Sequence, residues 1–299
     1  MHHEEQENYA EIYIRRHGGL PTYDELNEVE RSLILRGCTY EAIAWRRIKI
    51  GNFKSESKFN ENFPVDAATA FLSSTNDAMF NTKRINMHLN SIYEKQTIPM
   101  PEDLPESLIG YFGNQLLMWG KPVEDTEYYI GVDCSEGLGK NSDYSVMEII
   151  TLDGEQVGEF RSNKIRPFVF AQLVNDLGKY FNDGMLVVEK ASAGHAVLSK
   201  LKDDFEYYNL YRSRQYDERG RARRKDGFST NTKTKPKMID DFAEWFDNGS
   251  LKINSKQLLT EMLAFSYKDG KREAATGHDD TVMAMAMAIQ AAREGKYYA

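Results

Sequence analysis

Cysteine is scarce in this sequence: among 299 residues only Cys38 and Cys134 occur, far apart and with no neighbouring Cys or His to complete a zinc-site spacing. Neither a disulfide framework nor a structural zinc is implied, and a reducing cytoplasm is the expected compartment. Long apolar runs are missing as well. None approaches the ~20 residues that a membrane-spanning helix requires, so no membrane role is expected. The N-terminus, Met1-His2-His3-Glu4-Glu5, lacks the basic-then-apolar pattern of a secretory signal. Overall positive charge is absent too. A formal net charge of -8 excludes a protein that coats DNA over its whole surface, because phosphate binding depends on local Lys/Arg density. A local excess survives the average: between Arg212 and Lys237 ten Lys/Arg stand against three acids.

What is present belongs to a globular protein, with 41% hydrophobic and 28% charged residues, and the length suits one large domain or two modest ones. From Tyr23 to Ile50 apolar residues near helical spacing predict two helices separated at Gly37. The text around Phe59, Phe63, Pro64 and Phe71 reads as irregular, and 77–93 as a further helix. Pro99, Pro101 and Pro105 mark an extended stretch, because proline is excluded from helix interiors. A boundary is expected between about Pro99 and Asp125, giving a mostly helical segment 1–120 and a second domain 121–299.

In that second part the pattern becomes mixed. Strands are expected at 128–132, 144–152 and 156–162, the last two joined by an Asp153-Gly154 hairpin turn, and an apolar strand at 185–189. Helices are expected at 167–181, 194–202, 237–246, 255–265 and 280–293, with a short strand at 251–253. A strand meander followed by alternating helices and strands predicts an α/β fold: an RNase H-like mixed sheet flanked by helices. On the last helix Met283, Met285 and Met287 alternate with alanines, an all-round apolarity that predicts burial.

Three acidic positions fall where such a sheet would expose side chains at one edge. Asp133 ends the first strand, Glu189 ends the later apolar strand, and Asp279-Asp280 opens the last helix. Parallel neighbours bring their C-terminal ends together, so Asp133 and Glu189 can converge across a long stretch of sequence. Converging carboxylates raise one another's pKa unless a cation neutralises them, and oxygen-only ligands suit Mg²⁺ or Mn²⁺. Two such ions would activate the attacking water and stabilise the leaving oxygen of a phosphodiester. Each acid also has a plainer reading. Asp133 before a glycine-rich turn is a common turn residue, and Asp279 and Asp280 suit an N-cap and a favourable first-turn acid.

Taken together, Gly131-Val132-Asp133-Cys134-Ser135-Glu136-Gly137, Val187-Val188-Glu189-Lys190-Ala191-Ser192-Ala193-Gly194 and Gly277-His278-Asp279-Asp280-Thr281-Val282-Met283-Ala284 resemble the three nuclease motifs of phage large terminases. The resemblance implies that Asp133, Glu189 and either Asp279 or Asp280 hold two divalent metal ions, Mg²⁺ or Mn²⁺, with Asp143 accessory. Gly227-Phe228-Ser229-Thr230 and Thr234-Lys235-Pro236-Lys237 look like the loop and helix start that approach DNA in that family. Arg221, Arg223, Arg224, Lys225, Lys233 and Lys235 would then neutralise phosphates, while Thr230 and Thr234 add positioning hydrogen bonds. Standing alone, the same run reads as a solvated basic loop.

The resemblance reaches the first part through Trp45-Arg46-Arg47-Ile48-Lys49, Phe59-Asn60-Glu61-Asn62-Phe63-Pro64 and Ala70-Phe71, which look like the end of the terminase ATPase domain. The departure there is the missing phosphate loop: no Gly-x-x-x-x-Gly-Lys-Ser/Thr occurs. The ATP-hydrolysing core therefore lies elsewhere, earlier in a longer chain or in another chain. By the same resemblance the substrate is double-stranded concatemeric viral DNA, cut during genome packaging. The implied partners are a small terminase subunit, the portal protein and the terminase ATPase domain. The implied setting is the host cytoplasm, transiently at the procapsid portal. Alternatives are an RNase H-like resolvase or recombinase, an actin-like ATPase, and a non-catalytic docking module of a packaging motor.

Overall fold

The computed structural model describes residues 3–54, 56–63, 78–92, 97–136, 143–191, 193–216, 222–268, 271–274 and 278–296. The chain forms two compact units, Met1–Thr75 and Asn76–Ala299.

The first unit is helical: α1 (His3–His17), α2 (Glu28–Leu35), α3 (Tyr40–Phe53) and α4 (Glu56–Asn62). Asn27 opens α2 with a capping box, its side chain accepting from the Glu30 amide while Glu30 accepts from the Asn27 amide. Gly37, at φ +90°, follows the end of α2, and Thr39 caps α3 by accepting from the Ala42 amide. The region expected to be irregular around Phe59 is instead α4. Trp45 packs edge-on against Phe59 and Phe63 at ring separations of 5.7 and 5.1 Å, and burying these rings gives the short helix the tertiary support that local sequence does not advertise. Pro64, Ala70 and Phe71 lie outside the described residues.

The second unit contains α5 (Thr82–Ile92), α6 (Glu106–Ile109), β1 (Leu116–Met118), β2 (Tyr128–Asp133), β3 (Ser145–Thr151), β4 (Gln156–Ser162), α7 (Pro167–Tyr180), β5 (Met185–Val188) and α8 (Gly194–Ser199). Beyond these come β6 (Arg212–Tyr216), β7 (Ala222–Asp226), α9 (Thr234–Asp247), α10 (Lys256–Ala264), β8 (Phe265–Lys268), β9 (Lys271–Ala274) and α11 (Asp280–Lys296). The main sheet has five strands in the order β1-β4-β3-β2-β5. Within it β2 and β5 run parallel, and the other neighbours are antiparallel. Helices flank this mixed sheet, which is the expected class.

The unit boundary falls earlier than the expected division near residue 120. Leu104, Leu108, Leu116 and Met118 belong to the core under the sheet, and the Ile98 amide donates to the Met118 carbonyl. Apolar side chains in a proline-rich stretch therefore decide its membership, and prolines alone did not signal it. At 251–253 the expected strand reduces to one bridge, Glu155 to Lys252. The basic segment after Arg212, read as a flexible loop, is largely the β6–β7 hairpin. Its strands are too rich in charge for an apolar alternation to reveal them.

One glycine sets how closely β2 and the last helix approach. A Cβ on Gly131 would lie 1.8 Å from the Ala284 carbonyl oxygen, so β2 and α11 touch backbone to backbone. Residues 282–289 of α11 are buried, and the alternating alanines make that proximity possible.

Candidate metal centre

The parallel pairing of β2 and β5 puts Val132 beside Val188, and the Glu189 amide donates to the Val132 carbonyl at 2.9 Å. Asp133 and Glu189 thus leave the sheet at one edge, as the strand endings predict. Gly194 holds the following turn in place, since a Cβ there would sit 1.8 Å from the Glu189 carbonyl oxygen. On its other side Glu189 bridges to Phe228, whose amide donates to Val188, so the foot of the β6–β7 hairpin lies beside the end of β5.

The start of α11 completes the edge. The Met283 amide donates to the Asp279 carbonyl, and the Asp279 carboxylate pairs with Lys235 at 3.2 Å. Asp280 is buried and accepts from the Tyr144 amide at 2.9 Å. Burial pushes the Asp133 carboxyl well above the usual carboxylate range, with Glu189, Asp280 and Asp279 adding to the shift through their negative charge. Burial likewise pushes Asp280 up to about 6, aided by Glu261 and Asp143 and opposed by the Tyr144 amide and His278. Both aspartates of the pair therefore contribute to the field at Asp133. The adjacent Cys134 thiol is buried and pushed up by burial and by Asp133 and Glu189, which removes it as a thiolate nucleophile.

Asp143, His278 and Asp280 form a tighter group. One potential ligand atom from each lies within 4.8 Å of the others, and among the described residues this is the set of three that comes so close. Here His278 Nδ1 is 3.4 Å from Asp143 and 3.5 Å from Asp280. The grouping of Asp133, Glu189, Asp279 and Asp280 is wider, and Asp280 belongs to both. The one sequence signal for His278 in this group is its position directly before the Asp pair. His195 is exposed.

The residues expected to meet phosphates divide. Arg224, Lys225 and Lys233 are exposed, whereas Lys235 is partly buried and turned to Asp279. The Thr234 hydroxyl is spent on the turn, donating to the Ser229 carbonyl at 2.7 Å. The Thr230 hydroxyl is buried without a hydrogen-bond partner. Arg221 lies outside the described residues, as do Gly137, Ser192 and Gly277 of the motifs, and of Arg223 only the backbone in β7 is described.

A family model described as the terminase RNaseH-like domain matches residues 130–292. Among solved structures, the large terminase nuclease from thermophilic phage G20c with bound magnesium is 21% identical, covering 68% of this chain and 96% of that one at a TM-score of 0.47. The same nuclease with bound cobalt matches at 20% identity over 68% and 96%, again with a TM-score of 0.47. The Thermus phage P74-26 large terminase nuclease domain is 21% identical over 67% and 93%, with a TM-score of 0.45.

Proposed function

Since the chain belongs to the terminase RNaseH-like domain family, whose model spans 130–292 and so more than half of the sequence, we propose that it is the DNA-cutting part of a packaging terminase. Its reaction in this reading is metal-dependent endonucleolytic hydrolysis of concatemeric double-stranded viral DNA. The observation that carries the reading is the convergence of Asp133 and Glu189 at one sheet edge with Asp279 and Asp280, where desolvation and then mutual repulsion raise the proton affinity of Asp133.

That donor set fits hard divalent cations, because carboxylate oxygens match Mg²⁺ or Mn²⁺, and His278 stands beside Asp143 and Asp280. When bound, such ions supply water activation and stabilisation of the leaving oxygen. Asp133, Glu189 and one or both of Asp279 and Asp280 hold them, with Asp143 accessory. No side chain forms a covalent intermediate, and Cys134 stays protonated.

Arg224, Lys225 and Lys233, with Arg221 and Arg223, bind phosphates without reading bases, and Thr230 and Thr234 flank that path. Lys235 divides its charge between DNA and Asp279. Cutting-site choice then rests on partners: a small terminase subunit, the portal, and the ATPase domain, whose end the first unit, Met1–Thr75, represents. These meet in the host cytoplasm and transiently at the procapsid portal.

The test is supercoiled plasmid incubated with the chain and Mn²⁺, Mg²⁺ or EDTA, beside folded Asp133→Asn and Glu189→Gln. Metal-dependent nicking and linearisation that both variants lose is the expected result. Folded variants that cut like the wild type would refute the site assignment.

A further inference from the structure

The first turn of α11 carries the acid pair, and its amides have no partners within the helix. One is capped from elsewhere in the fold. Glu261 on α10, 4% exposed, takes the Thr281 amide on Oε2 at 2.9 Å and the Thr281 hydroxyl on the same oxygen. Its other oxygen accepts from Gln257 at 2.9 Å and faces the Arg161 guanidinium at 3.4 Å. Arg161 in turn lies over the Tyr144 ring, 3.2 Å from its centre, and the Tyr144 amide donates to the Asp280 carboxylate. One buried carboxylate thus reaches Asp280 from two sides, through the backbone next to it and through the residue that binds its side chain.

We propose that Glu261 is a positioning residue of the metal centre, fixing the first turn of α11 and the Arg161–Tyr144 contact so that Asp279 and Asp280 face Asp133 and Glu189. Helix packing alone does not require it. The register of α11 on the sheet is already set by Gly131 against Ala284 and by the buried alanines and methionines. What Glu261 adds is rotation and placement of the terminal turn, the part that bears the ligands. A buried carboxylate facing an arginine is costly to maintain by itself, and here its acceptors are committed to donors that converge on the acid pair.

This inference rests on the metal-binding reading above, and its test uses binding as well as cutting. Mn²⁺ is titrated by electron paramagnetic resonance into wild type, Glu261→Ala, Glu261→Gln, Thr281→Val and Thr281→Ser, with thermal melts and metal-free DNA affinity measured alongside. Loss of an outer hydrogen-bond partner typically weakens metal affinity about 10- to 100-fold, and that range is expected for Glu261→Ala. Glu261→Gln keeps an acceptor for Thr281 and recovers much of the loss, Thr281→Val loses less than Glu261→Ala, and Thr281→Ser behaves as wild type. DNA affinity without metal stays unchanged. If Glu261→Ala does not fold, the Thr281 pair decides.

A core control, Leu263→Ala, separates positioning from stability. Mn²⁺ affinity that merely follows melting temperature across the control and all variants would overturn the proposal, as would folded Glu261→Ala and Thr281→Val that bind Mn²⁺ like wild type. A wild type that binds no Mn²⁺ would overturn the nuclease reading and this inference together.

Discussion

Two clusters of carboxyls sit in the second unit, and they have opposite fates. Glu148 on β3 and Glu159 on β4 are cross-strand partners, 0% and 3% exposed, sealed in the interior. Gln156 donates to Glu148 at 2.6 Å and accepts from the Asn254 and Ser255 amides. Burial, reinforced by Glu159, pushes the Glu148 carboxyl well up, and Glu159 is pushed up by burial as well. Both carboxyls therefore hold a proton more tightly than they would in water. At the sheet edge Asp133 also feels desolvation and repulsion, but Asp133, Glu189 and Asp279 are only half-buried and Asp143 is exposed. Repulsion alone does not make a metal site. In the proposed reading, access from solvent, next to a basic hairpin, is what would let a cation replace the proton.

Substitution should separate the two clusters most sharply. Asp133→Asn is expected to lower metal-dependent cutting by more than about 100-fold, beyond the usual cost of losing an outer partner, whereas Glu148→Gln should leave cutting near wild type. Plasmid nicking rates compare them, and equal losses would erase the distinction. Gly131→Ala comes next. Its methyl group would collide with backbone of α11, and overpacking of this kind costs about 1–3 kcal/mol or more. Chemical denaturation should register that loss, together with weaker Mn²⁺ binding, because the helix that presents Asp279 and Asp280 is displaced.

Proton release gives a smaller effect at the edge. The Asp280 carboxyl is pushed up to about 6, so metal binding should strengthen as pH rises through that value. A flat Mn²⁺ affinity between pH 5 and pH 7, each taken as about a unit either side of Asp280, would remove Asp280 from the ligand set. In the sealed cluster the sign reverses. Folding raises the Glu148 pKa above its ordinary 4.5, so the stability of the protonated pair is fully present below that value and is lost as pH rises toward the folded pKa. Glu148→Gln should flatten this part of the stability profile, as urea melts across that range would show. A variant with the wild-type slope would place the proton elsewhere.

Much of the edge was legible in the sequence. Strand endings at Asp133 and Glu189 and the Asp pair before an apolar helix are local patterns, and the parallel pairing of β2 with β5 brings the two strand endings to one edge. The sealed cluster was not legible, because Glu148 and Glu159 become neighbours only through the β3–β4 register and their environment comes from residues 254–261. Glu261 and Arg161 were hidden for the same reason: an acid on an amphipathic helix and an arginine in a strand look like surface residues until the start of α11 is placed over them. The β6–β7 hairpin escaped because charge masks its alternation. The choice between Asp279 and Asp280 stayed open in sequence, and the fold gives each a distinct neighbour, Lys235 for one and Tyr144 with His278 for the other.

The central claim is that divalent metal binds at the open cluster and not at the sealed one, and anomalous diffraction from Mn²⁺-soaked crystals tests it most directly. Peaks bounded by Asp133, Glu189 and Asp279 or Asp280, with none beside Glu148 and Glu159, are the expected result. A peak at Glu148 and Glu159, or density confined to Asp143 and His278 with Asp133 and Glu189 bare, would contradict it.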